Sequence, residues 1–193
     1  MSKVTFDMSV SLDGFTNGAD PSPDQPMGAD GMRLHDWAFG GDDADRAVLD
    51  RAWPDSGAMI CGRNTYDLSI PYWGADGPSG DKRLPLVVIT HSEPNEVPAN
   101  GVYSFATGGI EAALGEARDR ADEGDISIMG GPSVGGQFLR AGLVDEVALH
   151  VVPVFLGAGT RLFDDPGGSI GMETTDVIRT DAATHLLLRV VGG

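Results

Sequence analysis

The chain of 193 residues has one cysteine, Cys61, and only two lysines, Lys3 and Lys82. A single thiol excludes an internal disulfide framework and fits a reducing compartment. No apolar run is long enough to cross a bilayer. The N-terminus MSKVTFDMSV has neither the basic start nor the long apolar middle of a signal peptide, so a cytoplasmic protein is expected. His35, His91, His150 and His185 are scattered, with no H-x3-H spacing and no cysteine pair, and no metal site is expected. No G-x-G-x-x-G follows the first predicted strand, and there is no G-K-[ST] loop. Ser133 lacks histidine and acid partners in an order that suggests a hydrolytic triad. Basic residues are also scarce, 13 against 29 acidic ones, for a net charge of −16. Such a field repels nucleic acid and anionic membranes, so neither is expected as a partner. It also opposes a phosphorylated cofactor, unless N–H donors and one or two arginines gather locally.

What is present suits a single domain over residues 1–193, with 41% hydrophobic residues and enough length for a full core. Val4, Phe6, Met8 and Val10 alternate with Thr5, Asp7 and Ser9, which predicts a half-buried strand. It runs into Ser11-Leu12-Asp13-Gly14-Phe15. Residues 17–41 read as a long irregular stretch carrying His35, Asp36 and Trp37, and loops of that length in compact domains are usually functional or mobile. A helix is expected over 42–53, broken by Pro54-Asp55-Ser56-Gly57. A buried strand over 58–61 then leads into a brief helix through Leu68. Residues 72–83 read as loop, and LPLVVIT at 84–90 as a central strand covered on both faces. A strand over 101–105 and a helix over 109–121 follow.

The most telling segment is 125–163. A short strand, Ile126 to Met129, meets Gly130-Gly131-Pro132-Ser133, and a helix runs on to Arg140. Paired glycines let another group approach the backbone closely, and Pro132 suits a first helical turn. Free N–H groups at such a helix start make an anion site. A pyrophosphate cradle and a plain strand-to-helix turn both satisfy this pattern. A long strand is predicted over 144–156, with Pro153 marking a bulge or an edge position, and two final strands over 173–179 and 185–191. The expected fold is an α/β three-layer sandwich. It has a mostly parallel sheet of about eight strands and antiparallel strands at the C-terminus.

Three polar loops each follow a predicted strand: Gly62-Arg63-Asn64-Thr65, Thr90-His91-Ser92-Glu93 and Gly130 to Ser133. Ligands of open α/β sheets bind beyond the carboxyl ends of strands, so the three loops can form one site. His150, alternating within a strand, reads as a packed or edge histidine, and Cys61 as an inert core thiol. Trp37 and Trp73 either pack over the core edge or wall a pocket. Asp13 and Asp36 are loop-capping residues or acids of the site.

Gly62-Arg63-Asn64-Thr65-Tyr66, Thr90-His91-Ser92, and Ile128-Met129-Gly130-Gly131 through Gln137-Phe138 follow the order and spacing of the dihydrofolate-reductase-like fold. With Ser11-Leu12-Asp13-Gly14 and Leu143-Val144-Asp145-Glu146, the chain resembles the reductase domain of the riboflavin-biosynthesis deaminase–reductase over about residues 4–163. The resemblance implies an NADPH-dependent reductase of a small heterocycle, pterin-like or pyrimidine-like; the alternative is a nicotinamide-nucleotide-binding protein without turnover. It assigns Gly62, Arg63 and Thr65 to phosphates at a helix start. His91 and Ser92 fall to the adenosine ribose and its 2′-phosphate, and Gly130, Gly131, Pro132, Ser133, Val134 and Gly135 to the pyrophosphate and nicotinamide side. Asp13, Trp37 and Met129 are the substrate-side candidates, with Asp13, Asp36 or water supplying a proton. The resemblance further implies a cis Gly130–Gly131 bond and a homodimer, the latter also suggested by an unpaired apolar edge along 144–156. Two residues depart from the pattern. Glu93 stands where many relatives have a basic residue, and Met129 where riboflavin-pathway reductases carry a substrate-binding glutamate. The acidic helix residue of dihydrofolate reductases has no clear counterpart after Trp37.

Overall fold

Alternation of apolar and polar residues makes the first strand, β1 (Val4–Ser11), of the computed structural model, which describes residues 2–52, 55–163 and 168–191. A short strand β2 (Phe15–Asn17), a 3₁₀ turn (Gly31–His35), helix α1 (Asp36–Gly40) and helix α2 (Asp43–Ala52) follow. Then come β3 (Ser56–Gly62), α3 (Arg63–Trp73), β4 (Leu86–Ile89), β5 (Tyr103–Ala106), α4 (Ile110–Arg120), β6 (Asp125–Ile128) and α5 (Pro132–Arg140). The chain ends with β7 (Glu146–Val152), β8 (Thr160–Arg161), β9 (Gly171–Arg179) and β10 (Thr184–Val191).

Eight of these strands form one sheet in the order β5-β4-β3-β6-β1-β7-β10-β9. The pairings from β5 to β7 are all parallel, whereas β10 is antiparallel to both β7 and β9. This is the expected three-layer sandwich with antiparallel C-terminal strands. One face is covered by α4 and α5, whose Ile110, Ala113, Leu114, Ala117, Val134 and Phe138 pack with Val4, Phe6, Ile126, Ile128 and Val147. The other face is covered in two separate patches. Leu34, Trp37 and Val48 sit with Val152, Val154 and Ala183, while Tyr66 of α3 sits with Met59, Cys61, Leu86, Val88 and Tyr103. Between the patches run β6 and β1, and there Thr5, Asp7, Ser127 and Met129 are only half-buried. The register Thr5↔Ser127 and Met59↔Ser127 puts all of these on the same face. A polar furrow therefore crosses the sheet between α2 and α3.

Several local expectations change. The stretch 17–41 is not wholly irregular. Its first part doubles back through Gly18 N–H to Met27 O at 2.8 Å and Ala29 N–H to Ala19 O at 2.9 Å, and its second part coils into the 3₁₀ turn and α1. Helix α3 continues to Trp73, past the expected end at Leu68 and into the expected loop, with Pro71 inside it. The expected end of the earlier helix at Trp53-Pro54 lies outside the described residues.

The largest correction concerns β7. It stops at Val152, because Pro153 has no N–H to offer a ladder and Val154 N–H turns back to Val152 O at 2.8 Å. Nor is it an edge: β1 pairs along one side and β10 along the other. Its apolar residues on both faces are those of a covered central strand. The outer edge on this side is β9.

Helix α5 reaches β1 because Gly135 has no side chain. A Cβ there would come within 2.1 Å of Phe6 Cζ, and Phe6 is fully buried. Gly135→Ala is therefore expected to lower unfolding stability by about 1–3 kcal/mol, the usual cost of overpacking a core. Urea denaturation of the variant measures it; an unchanged midpoint would mean that α5 does not rest on Phe6.

Candidate active site

Parallel pairing of β4, β3, β6, β1 and β7 brings the carboxyl ends of these strands to one edge. Loops 62–65, 90–93 and 130–133 leave from three of them. Gly62 is the extended residue before α3, so Arg63 and Thr65 fall in the helix's first turn. The Arg63 guanidinium donates through Nε to Asp67 Oδ1 at 2.7 Å. Its Nη1 donates to Ser92 O at 2.9 Å and to Thr90 Oγ1 at 3.3 Å. Thr90 Oγ1 itself donates to Ser92 O at 2.7 Å. Arg63 thus fixes the second loop, with about a third (31%) of its own side chain still exposed. His91 and Ser92 are exposed on the lip.

Thr65 ties the first loop to the third, donating from Oγ1 to Gly130 O at 2.6 Å. Gly130 and Gly131 both have positive φ, 67° and 119°, and a Cβ on Gly130 would lie 2.4 Å from Thr65 Cγ2. The Gly130–Gly131 bond is trans, and no cis peptide bond occurs among the described residues. This corrects the expected cis bond: two successive positive φ angles, open to glycine, turn the chain without it. Pro132 occupies the first helical position of α5, and Gly131 before it offers no side-chain cap. Gly135 N–H is taken by Gly131 O at 3.3 Å, so the donors facing the loop are those of Gly131, Ser133 and Val134. With the dipole of a nine-residue helix behind them, they suit an oxyanion.

The substrate-side candidates divide. Asp13 is a clamp: its carboxylate accepts Ser11 Oγ at 2.6 Å, Gly157 N–H at 2.7 Å and Leu156 N–H at 3.1 Å. Partial burial pushes its pKa up, but the bonds from Ser11, Gly157 and Leu156 outweigh this and hold it below the ordinary aspartate value. Asp36 is exposed at the start of α1. Met129 lies half-buried on the furrow floor, just before Gly130. Trp37 is buried, donates from Nε1 to Ser9 Oγ at 3.0 Å, and stacks at a tilt on His150 with ring centroids 4.2 Å apart.

Under Trp37 lies a group of residues that the sequence did not bring together. His150 is a packed histidine, not an edge one. Its Nε2 lies 3.1 Å from Asp7 Oδ1, and its Nδ1 lies 2.7 Å from Nδ1 of His185. His185 Nε2 faces Asp45 Oδ1 at 3.5 Å. The four groups come from β1, β7, β10 and α2. The available signal was weak: an aspartate in a strand that runs through the middle of the sheet, on the side away from Phe6. Cys61, as expected, is a core thiol, pushed up to about 12 by burial. Among the described residues no cluster of His, Cys, Asp or Glu is arranged to hold a metal ion, and no helix is long and apolar enough to cross a membrane.

A family model described as the RibD C-terminal domain matches residues 2–186. The riboflavin biosynthesis protein RibD of Mycobacterium tuberculosis is 38% identical over 52 residues, which is 27% of this chain and only 15% of that relative's length. Among solved structures, a riboflavin biosynthesis protein from Shewanella sp. PV-4 superposes with a TM-score of 0.70 at 20% identity, covering 99% of each chain. A dihydrofolate reductase of Enterococcus faecalis, solved with NADP(H), superposes with a TM-score of 0.61 at 12% identity, covering 97% of this chain and 96% of its own. These last two likenesses establish the fold.

The buried histidines give stability a pH dependence of known sign. Burial, and then the charge of His150, hold both His185 and His35 below the ordinary histidine value of 6.5, and for His185 the attraction of Asp45 does not offset this. Below that value the unfolded chain binds protons that the folded protein refuses. Stability is therefore expected to fall on acidification, by at most about 1.4 kcal/mol per pH unit for each histidine. Urea midpoints at about pH 7.5 and 5.5 test this; a midpoint that rises at the lower pH would contradict it.

Proposed function

This chain belongs to the RibD C-terminal domain family, and we propose that it is a cytoplasmic NADPH-dependent reductase of a small heterocycle, pyrimidine-like or pterin-like. The observation that carries the reading is the tying of three loops into one donor-rich edge. Arg63 holds the second loop from the first, and Thr65 holds the third. The edge fits a dinucleotide's phosphates on structural grounds. Gly130 and Gly131 leave backbone where any Cβ would intrude on Thr65 or strain φ, and α5 presents uncapped N–H groups behind them. A chain of net charge −16 repels phosphates at long range, so these local donors have to supply the attraction. The bound nicotinamide would supply a hydride, and the furrow beside Met129 and Gly130 would hold the acceptor.

In this reading the protein positions substrate against cofactor and excludes water. Arg63, already oriented by Asp67 and Ser92, would bind phosphate with its planar fork, and His91 and Ser92 would face the ribose 2′-phosphate. Gly62, Thr65, Pro132, Ser133, Val134 and Gly135 would shape the walls. Met129 cannot accept the hydrogen bonds that a glutamate accepts there in riboflavin-pathway reductases, so the acceptor differs from the ribosylaminopyrimidine of that pathway. NADPH is expected to bind more tightly than NADH despite Glu93, and Arg63→Ala to weaken NADPH binding by about 1.5–3 kcal/mol, the worth of a charge-assisted hydrogen bond. Fluorescence titration with both cofactors measures this; equal affinities would remove the 2′-phosphate assignment.

A homodimer belongs to the same reading, with the contact moved from β7 to the β9–β10 side of the sheet. There Val177 is 55% exposed, Met172 and Val191 are each 37% exposed, and Leu186, Leu187 and Leu188 are only half-buried. An apolar sheet edge of this kind is normally covered. Light scattering at micromolar concentration is expected to give twice the mass of one chain, and a strictly monomeric mass would count against the contact.

A further inference from the structure

The line of acids and imidazoles under Trp37 runs from the furrow into the core. Asp7 has 32% of its side chain exposed, His150 5%, His185 none and Asp45 1%. Three gaps separate the four groups: Asp7 to His150, His150 to His185, and His185 to Asp45. Each gap holds a nitrogen or oxygen lone pair on both sides unless a proton stands in it. Two neutral imidazoles bring two protons. If Asp7 is ionised, His150 donates to it from Nε2, and His185 then donates from Nδ1 to His150 Nδ1. That leaves the last gap bare. It is the longest, 3.5 Å, and His185 Nε2 and Asp45 Oδ1 are buried there without a hydrogen-bond partner. A third proton in that gap completes the line, giving one imidazolium between two carboxylates.

From this geometry we infer that Asp7, His150, His185 and Asp45 form a proton relay whose outlet is the carboxyl of Asp7 on the furrow floor, making Asp7 the acid of the site. The inference rests on the reductase reading and names the proton donor that it lacks. When a hydride reaches the carbon of a C=N bond, the electron pair of the double bond moves to nitrogen, and Asp7 gives that nitrogen a proton. The proton Asp7 delivers is the one taken from His150 Nε2. His150 Nδ1 then takes the proton of the next gap from His185 Nδ1, and His185 keeps the proton facing Asp45, which leaves both imidazoles neutral and Asp7 ionised. The line passes from three protons to two and recovers the third from solvent through the exposed edge of Asp7. Trp37, tilted over His150 at 4.2 Å between ring centroids and edge-on to His185 at 4.9 Å, keeps water from short-circuiting the inner links. Of the other titratable groups nearby, His35 on the 3₁₀ turn interacts electrostatically with His150 and Asp7, and Asp36 on α1 interacts with His35. Asp13, held by its own loop, stands outside the line.

The test needs no substrate. In protein with ¹⁵N-labelled histidine, His150 and His185 are expected to take up one proton between them as a coupled pair, and Asp45→Asn to abolish that uptake. The ring N–H groups are expected to exchange with water faster than the backbone N–H groups of the same residues, which report opening of the β7–β10 ladder. In Asp7→Asn, whose fold is checked by circular dichroism, ring exchange is expected to slow by roughly tenfold or more, toward the rate of that opening. Two rings that titrate independently would overturn the relay. So would ring exchange no faster than backbone opening in the wild type, a comparison that holds even where a variant fails to fold. Titration of the same wild-type sample with NADPH keeps the outcomes apart: no cofactor binding sinks the reductase reading while the ring measurements still decide the relay.

Discussion

The site depends on one constraint, that six neighbouring strands run parallel. Parallel strands cannot be joined by a tight turn; each needs a crossover that returns the chain to the same starting edge. The crossovers α3, α4 and α5 therefore begin beyond the carboxyl ends of β3, β5 and β6, and their entry loops share one side of the sheet. Two short hydrogen bonds, Arg63 to Ser92 and Thr65 to Gly130, turn that shared side into one surface. Glycine supplies the rest. At Gly130 the loop must lie against Thr65, and at Gly135 the helix behind it must lie against Phe6. The helix cannot be shifted outward to spare Phe6 without withdrawing its N-terminus from the loop.

The furrow arises from the same layering. Helices α4 and α5 cover their face continuously, but α2 and α3 cover theirs in two apolar patches that do not join. Strands β6 and β1 lie in the gap, so Thr5, Asp7 and Ser127 there are polar and only half-buried, with Met129 beside them. Asp7 is held at this boundary by His150, and the buried carboxylate of Asp45 sits at the far end. Removing an ionised carboxylate from water costs several kcal/mol unless partners offset it. A fully apolar replacement of His185 and Asp45 would be the simpler way to stabilise the layer. That the core keeps them, sealed by an indole whose N–H is itself satisfied by Ser9, fits a line of groups held for its protons and not for its packing.

Much of this was legible in the sequence wherever the signal is local. The alternation from Val4 to Val10 placed Val4, Phe6, Met8 and Val10 on the core face of β1 correctly, although Ser9 on the other face is buried beneath Trp37, and Gly-Gly-Pro located the start of α5. The three polar loops were placed at strand ends, where the structure joins them. Local pattern fails where the answer depends on neighbours. Apolar residues on both faces of β7 fit an edge awaiting a partner as well as a central strand, and only the pairing with β1 and β10 distinguishes them. Asp13 beside Gly14 looks like a site acid, yet its partners lie about 143 residues away, at Leu156 and Gly157. The relay is scattered over positions 7, 45, 150 and 185, with no motif to unite them. The expectation of a cis Gly130–Gly131 bond came from resemblance, and positive φ at two glycines satisfied the same turn by another route.

Met129 and Asp7 are best understood together. Riboflavin-pathway reductases, as the resemblance has it, carry a carboxylate directly before the paired glycines, at the end of β6. Here that place is apolar, and the carboxylate of the furrow stands on the adjacent strand β1. The two positions differ in what lies behind them. A side chain at 129 is backed by the apolar patch around Met59 and Tyr66, where a carboxylate would have nothing to exchange a proton with. A side chain at 7 is backed by His150 and, through it, by His185 and Asp45. Moving the acid one strand over thus changes a group suited to accepting fixed hydrogen bonds into one suited to giving up a proton and regaining it. In the proposed reaction, a site so arranged would favour an acceptor whose nitrogen must be protonated as the hydride arrives.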